Sequence, residues 1–193
     1  QGLALFKDGQ YVAALSDLSK ALRILPGDPV AHEVHSLALF ATGDYAAAAA
    51  GLNSLLASAP GMDWTTMSSL YGNQDDYTAH LRKLEDFCDA NPRDASSHFV
   101  LAYHYLVIGA PEEAVQALRV VLKNQPRDTT AKRMLSALTK EDQAAAKEKA
   151  VRPQPKAEVA ADAPQTDLVG TWTAKSGDTT IQLDINEDSD FTW

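Results

Sequence analysis

The chain has one cysteine, Cys88, so it can form no internal disulfide. It also lacks any basic excess: 17 lysines and arginines stand against 26 aspartates and glutamates, for a net charge of -9. Without a basic face there is nothing to neutralise a phosphate backbone, and nucleic acid is not an expected partner. No apolar run approaches the roughly 18 residues that a membrane span needs. Catalytic signatures are missing as well. There is no Gly-x-Ser-x-Gly, no glycine-rich phosphate loop and no His-Glu-x-x-His. The expectation is a non-catalytic chain with no cofactor.

What the sequence does have is a register. Pro26, Pro60, Pro92 and Pro126 fall 34, 32 and 34 residues apart. The clearest block, Gly9 to Pro26, reads Gly-x-Tyr-x-x-Ala-x-x-x-Leu-x-x-Ala-Leu-x-x-x-Pro. One period later the same places hold Gly43, Tyr45, Ala48, Leu52, Leu56 and Pro60, and the last copy keeps Gly109, Ala114, Leu118, Leu122 and Pro126. This pattern resembles the tetratricopeptide repeat (TPR) family, whose unit is a helix–turn–helix hairpin. The resemblance implies an all-α solenoid wound as a right-handed superhelix. Its divisions would be a partial first repeat at 1–26, repeats at 27–60, 61–92 and 93–126, and a capping helix at 128–149, together an array over 1–149.

Local chemistry agrees with those divisions. Ala14, Leu15, Leu18, Ala21, Leu22 and Leu25 form one stripe of helical period over 11–25. Asp28-Pro29 and Pro111-Glu112-Glu113 are helix starts, and alanine-rich 46–50 favours a helix that neighbours can approach closely. The third unit is irregular. It is two residues short, its turn reads Gly72-Asn73-Gln74-Asp75, and His80 stands where the others have Ala14, Ala48 and Ala114. An imidazole does not fit a close helix crossing, so a local shift that offers Ala79 instead is expected.

Composition changes after the array. Pro153, Pro155 and Pro164 lie among Ala, Lys and Glu, which predicts a flexible linker over 150–166. From 167 to 193 the pattern turns to period two, with polar turns at 175–178 and 186–190. That predicts a truncated antiparallel β-meander opening a small β-domain. Gly170-x-Trp172 resembles the opening of lipocalin-like barrels. Gln1 enters within a helix and Phe191-Thr192-Trp193 stops within a strand, so further sequence is expected at both ends. The compartment, cytoplasmic or periplasmic, is not legible.

His32, His35, His98 and His104 lie on first helices, yet no set of ligands at zinc-like spacing completes them. His32, Trp64 and His98 share one repeat position and are expected to pack, each imidazole with one nitrogen satisfied. Cys88 lies on an apolar stripe and is expected to be inert core.

In the TPR family the first helices line a concave groove. The resemblance assigns its ligand-facing positions to Glu33, Leu37 and Phe40, to Thr65 and Ser69, and to Phe99, Tyr103 and Leu106. None is lysine, arginine or asparagine, which argues against a clamp for acidic peptide ends and for an apolar peptide or helix. The alternative is that Phe99, Tyr103 and Leu106 pack on neighbouring helices, because the short third unit could tighten the curvature. The expected function is a protein-interaction scaffold of bacterial type. A tether for a ligand-binding lipocalin-like domain and a self-association module are the other readings.

Overall fold

The computed structural model of the protein describes residues 1–151, 170–176, 179–185 and 191–192, with side chains through residue 140. The chain divides into two units, Gln1–Val151 and Arg152–Trp193.

The first unit is an all-α helical repeat. Its elements are α1 (Gly2–Lys7), α2 (Tyr11–Ile24), α3 (Pro29–Thr42), α4 (Tyr45–Ser58), α5 (Trp64–Leu70), α6 (Gln74–Ala90), α7 (Ala95–Val107), α8 (Pro111–Asn124) and α9 (Thr129–Val151). An aspartate opens the first helices α3, α5 and α7. Asp28 accepts from the Val30 and Ala31 amides at 2.9 and 3.2 Å, Asp63 from Thr66 at 2.8 Å, and Asp94 from Ser97 at 2.9 Å. These carboxylates meet amides that have no partner within the first turn. Gly9, Gly43 and Gly109 close the turns inside three hairpins with φ of 74, 85 and 77°, a left-handed conformation that glycine adopts without strain. Counting back from Pro92, the third unit has Asp75 at that place, within α6.

Ala14, Ala48 and Ala114 are fully buried, one in the second helix of each regular hairpin. In a regular array each unit touches only its neighbours. Here α4 packs directly against α7, and the intervening α5 makes its principal helix contact with α1. The helix α6 lies against α7 and α3. The third unit has therefore left the stack and reaches back to the first. Its expected shift to Ala79 does not occur: Ala79 is exposed, and His80 keeps the register position, half-buried against the rings of Tyr11 and Phe40. The imidazole is accommodated by removing the crossing rather than by rotating the helix.

In the second unit, β1 (Gly170–Ser176) pairs antiparallel with β2 (Thr179–Ile185), and β2 with β3 (Phe191–Thr192), in the order β1-β2-β3. The linker expected at 150–166 lies, from residue 152, outside the described residues.

If the buried alanine sets the crossing, Ala48→His should overpack the second hairpin. A loss of about 1–3 kcal/mol is expected from urea denaturation. A variant as stable as the parent would show that the slot has room, and the crossing would not explain the third unit.

Candidate functional site

The helix α3 presents Glu33, Leu37 and Phe40 along one face, and α7 presents Phe99, Tyr103 and Leu106 at the same spacing. The two faces meet. Glu33 Oε1 accepts from the Tyr103 hydroxyl at 2.7 Å and from the Met62 amide at 2.7 Å. A carboxylate only 5% exposed is thus held by two donors, one from α7 and one from the segment leading into α5. Gly61 passes so closely that a Cβ would lie 2.9 Å from the Tyr103 ring. Burial and Glu33 together hold the Tyr103 hydroxyl well above the usual phenol range.

A layer of rings from the third unit lies against this face. The Tyr71 ring meets Phe6 edge-on at 5.0 Å, and Trp64 meets Tyr77 at 5.2 Å. The Tyr77 hydroxyl is 3.2 Å from His104 Nδ1, and the His104 ring lies 3.9 Å from Phe40. At the far end Tyr11 donates to Asp76 at 3.4 Å, and burial with that carboxylate pushes its hydroxyl up to about 12. Gly72 rests against α1 so tightly that a Cβ would overlap the Lys7 carbonyl oxygen.

The expected ligand-facing residues divide accordingly. Glu33, Leu37, Phe40, Phe99 and Tyr103 are buried, so they do not form an open groove. The third unit covers Glu33, Phe40 and Tyr103, whereas Phe99 borders Ala46, Ala49 and Ala50 of the neighbouring α4, as the alternative reading expected. Thr65 and Ser69 are exposed and apart from that face, and Leu106 is half-buried. Leu106 lines a cleft of about 210 Å³ with Leu56, Met62, Val107 and Met134. Sequence reasoning missed Tyr71 and Tyr77, and it named His80 and His104 without placing them against this face. The available signal was the aromatic content of the irregular unit, together with an imidazole in an alanine position.

The other candidates are structural. His32 Nε2 lies 2.8 Å from the Pro26 carbonyl oxygen, and His98 Nδ1 lies 2.8 Å from that of Asp94. Cys88 is buried, and burial pushes its thiol up to about 11, away from thiolate reactivity. Among the described residues no three His, Cys, Asp or Glu side chains group closely enough to hold a metal ion.

Two tetratricopeptide repeat sequence models match, one over residues 5–71 and the other over residues 65–129. The chain belongs to the tetratricopeptide repeat family. No curated protein matches it. Tetratricopeptide repeats are in general scaffolds for protein–protein interaction and not catalysts. Among the described residues no helix is long and apolar enough to cross a membrane. Matches that meet within α5 also mean that the displaced unit of this tetratricopeptide array is still written as repeat sequence.

Two outcomes follow from the buried polar groups. Tyr103→Phe removes one donor from Glu33 and should cost about 1.5–3 kcal/mol in urea denaturation. Tyr103→Glu should cost more, since it places a second carboxyl beside Glu33. Equal stability of all three proteins would place Tyr103 outside the core. The second outcome concerns pH. His104 is fully buried, and burial first, then the neighbouring His80, lowers it from 6.5 to about 3. His80 is lowered by burial and Lys83, against an opposing pull from Asp76. Because these folded-state values lie below the unfolded one, their contribution is whole above pH 6.5 and is lost as pH falls toward the folded values. Thermal midpoints should fall from about pH 7 to 5, and His104→Gln should flatten that fall. An unchanged slope in the variant would remove His104 as the cause.

Proposed function

We propose that this tetratricopeptide array is a non-catalytic scaffold that receives an apolar peptide or helix on the inner faces of α3 and α7. One observation carries the reading: that face is aromatic and aliphatic, and an amphipathic helix, α6, already rests on it. The surface is thus suited to helix binding by apolar contact, with Glu33 and His104 as the polar groups that orient the bound segment. The half-buried cleft beside Leu106 extends the same apolar surface to solvent.

A second reading has one observation in its favour. Strands β1 to β3 pair in sequential antiparallel order, the arrangement with which an up-and-down β-domain begins. In that reading the helical array tethers a lipocalin-like module that takes a small apolar ligand.

Leu106→Glu separates the two, since a half-buried rim residue tolerates a carboxylate better than the core does. Affinity capture from the source cells followed by mass spectrometry should enrich a protein with the parent chain. It should lose that protein with Leu106→Glu, helicity by circular dichroism being equal. Equal recovery by both chains would move the working surface away from α3 and α7.

A further inference from the structure

The third unit touches the array unlike any other. Helix α6 turns Tyr77, Leu84 and Cys88 inward, with 3, 0 and 4% exposure, and leaves Asp75, Thr78, Arg82, Lys83 and Asp86 in solvent. Its inward stripe spans three separate places. Asp76 and His80 reach Tyr11 at the α1–α2 turn, Tyr77 and His80 meet Phe40 of α3, and Glu85 accepts from Tyr105 of α7 at 3.0 Å. A repeat's second helix meets adjacent units, as α6 meets α7; one that also reaches Tyr11 two units back is seated as a bound helix would be.

Its seating also leaves three buried polar atoms unmet. Tyr71 Oη, His80 Nδ1 and His104 Nε2 are buried and, among the described residues, meet no hydrogen-bond partner. Such groups oppose burial, whereas the Ala-lined contacts of α2, α4 and α8 carry no such debt. Beside the hydrogen bonds of Met62 with Glu33, Tyr77 with His104, Asp76 with Tyr11 and Glu85 with Tyr105, the strap approaches the array closely at two glycines: Gly72 lies on the Lys7 carbonyl, and Gly61 on Tyr103. Both glycines flank α5, so they act as the two fastenings of a strap.

We infer that residues 61–90 are a displaceable strap and that the face beneath them takes, in exchange, an amphipathic helix from a partner. This rests on the scaffold reading above and names its partner. That helix would carry an aromatic–aliphatic stripe at the spacing of Tyr77, Leu84 and Cys88, with a carboxylate one residue before the aromatic, as Asp76 precedes Tyr77. The strap and the partner helix compete for one surface, so the apparent affinity is reduced by the fraction of chains whose strap is open.

The test has two arms on the full chain. In the first, native-state hydrogen exchange of the unmodified protein should show α5 and α6 amides opening below the free energy at which α3, α4, α7 and α8 open. In the second, a fluorescent synthetic peptide of residues 74–90 is titrated against the parent and against Gly72→Val, which unseats the strap at Lys7 without altering a helix interior. The variant should bind about tenfold tighter or more than the parent, and a peptide carrying Tyr77→Asp and Leu84→Asp should not bind. If α6 exchanges only with global unfolding, the strap is not displaceable and the inference fails, even where the variant binds peptide and the scaffold reading stands. If the strap opens and neither chain binds the peptide, the inner face is no helix receptor and both readings fall. Binding of the doubly substituted peptide would also overturn the inference, since contact would then be indifferent to the stripe.

Discussion

The constraint on which this molecule depends is the distance between two helices at one small residue. Ala14, Ala48 and Ala114 are fully buried, and each allows its hairpin to close. Where His80 occupies that place the hairpin does not close, α5 is only seven residues long, and the partly exposed Trp64 ring meets Tyr77 at 5.2 Å. A side chain of imidazole size cannot be compressed, because protein interiors are packed near crystal density. The unit therefore finds another surface to bury its apolar stripe, and the nearest is the inner face that α3 and α7 share. One residue in the wrong slot changes which surface of the array is free.

The polar groups under the strap explain why this arrangement is specific. An apolar stripe alone would slide along an apolar face. Glu33 prevents it by accepting from both Tyr103 and Met62, so α3, α7 and the strap's entry are locked in one register. The pairing of Tyr77 with His104 and of Tyr11 with Asp76 sets the remaining length of the strap. Three of these four bonds join a strap residue to a different part of the array, and the fourth, Tyr103 with Glu33, joins α7 to α3.

Much of the helical architecture was legible in the sequence because its determinants are local. Aspartate caps, turn glycines and the stripe at helical period act within one or two turns, and they place α2, α3, α4, α7 and α8 without tertiary information. The candidate site was legible only as a set of positions. Glu33, Leu37, Phe40, Phe99 and Tyr103 are indeed on facing helices, but whether such residues are open or covered depends on where the third unit goes. His80 signalled that something must give there. It did not say that the crossing itself would be abandoned, because the energy of that choice lies in Phe6, Tyr11 and Phe40, all in other units. Trp64 was expected as a packing residue and Thr65 and Ser69 as groove residues; on the short α5 all three are exposed, Trp64 at 37%.

The contact between α5 and α1 also changes how the molecule gains its structure in time. A regular solenoid is stabilised by adjacent units, so it can nucleate at any point, lengthen stepwise and fray from its ends. Here Phe6 and Tyr71 must meet across a long loop of chain before either is buried. Closing that loop costs entropy before it returns any contact, which slows folding relative to a purely local array. In exchange α1 gains a second set of contacts, with α5 as well as with α2. Release of the strap would therefore loosen α1 as well, because Tyr71 and Gly72 are what α1 rests on beyond its own hairpin.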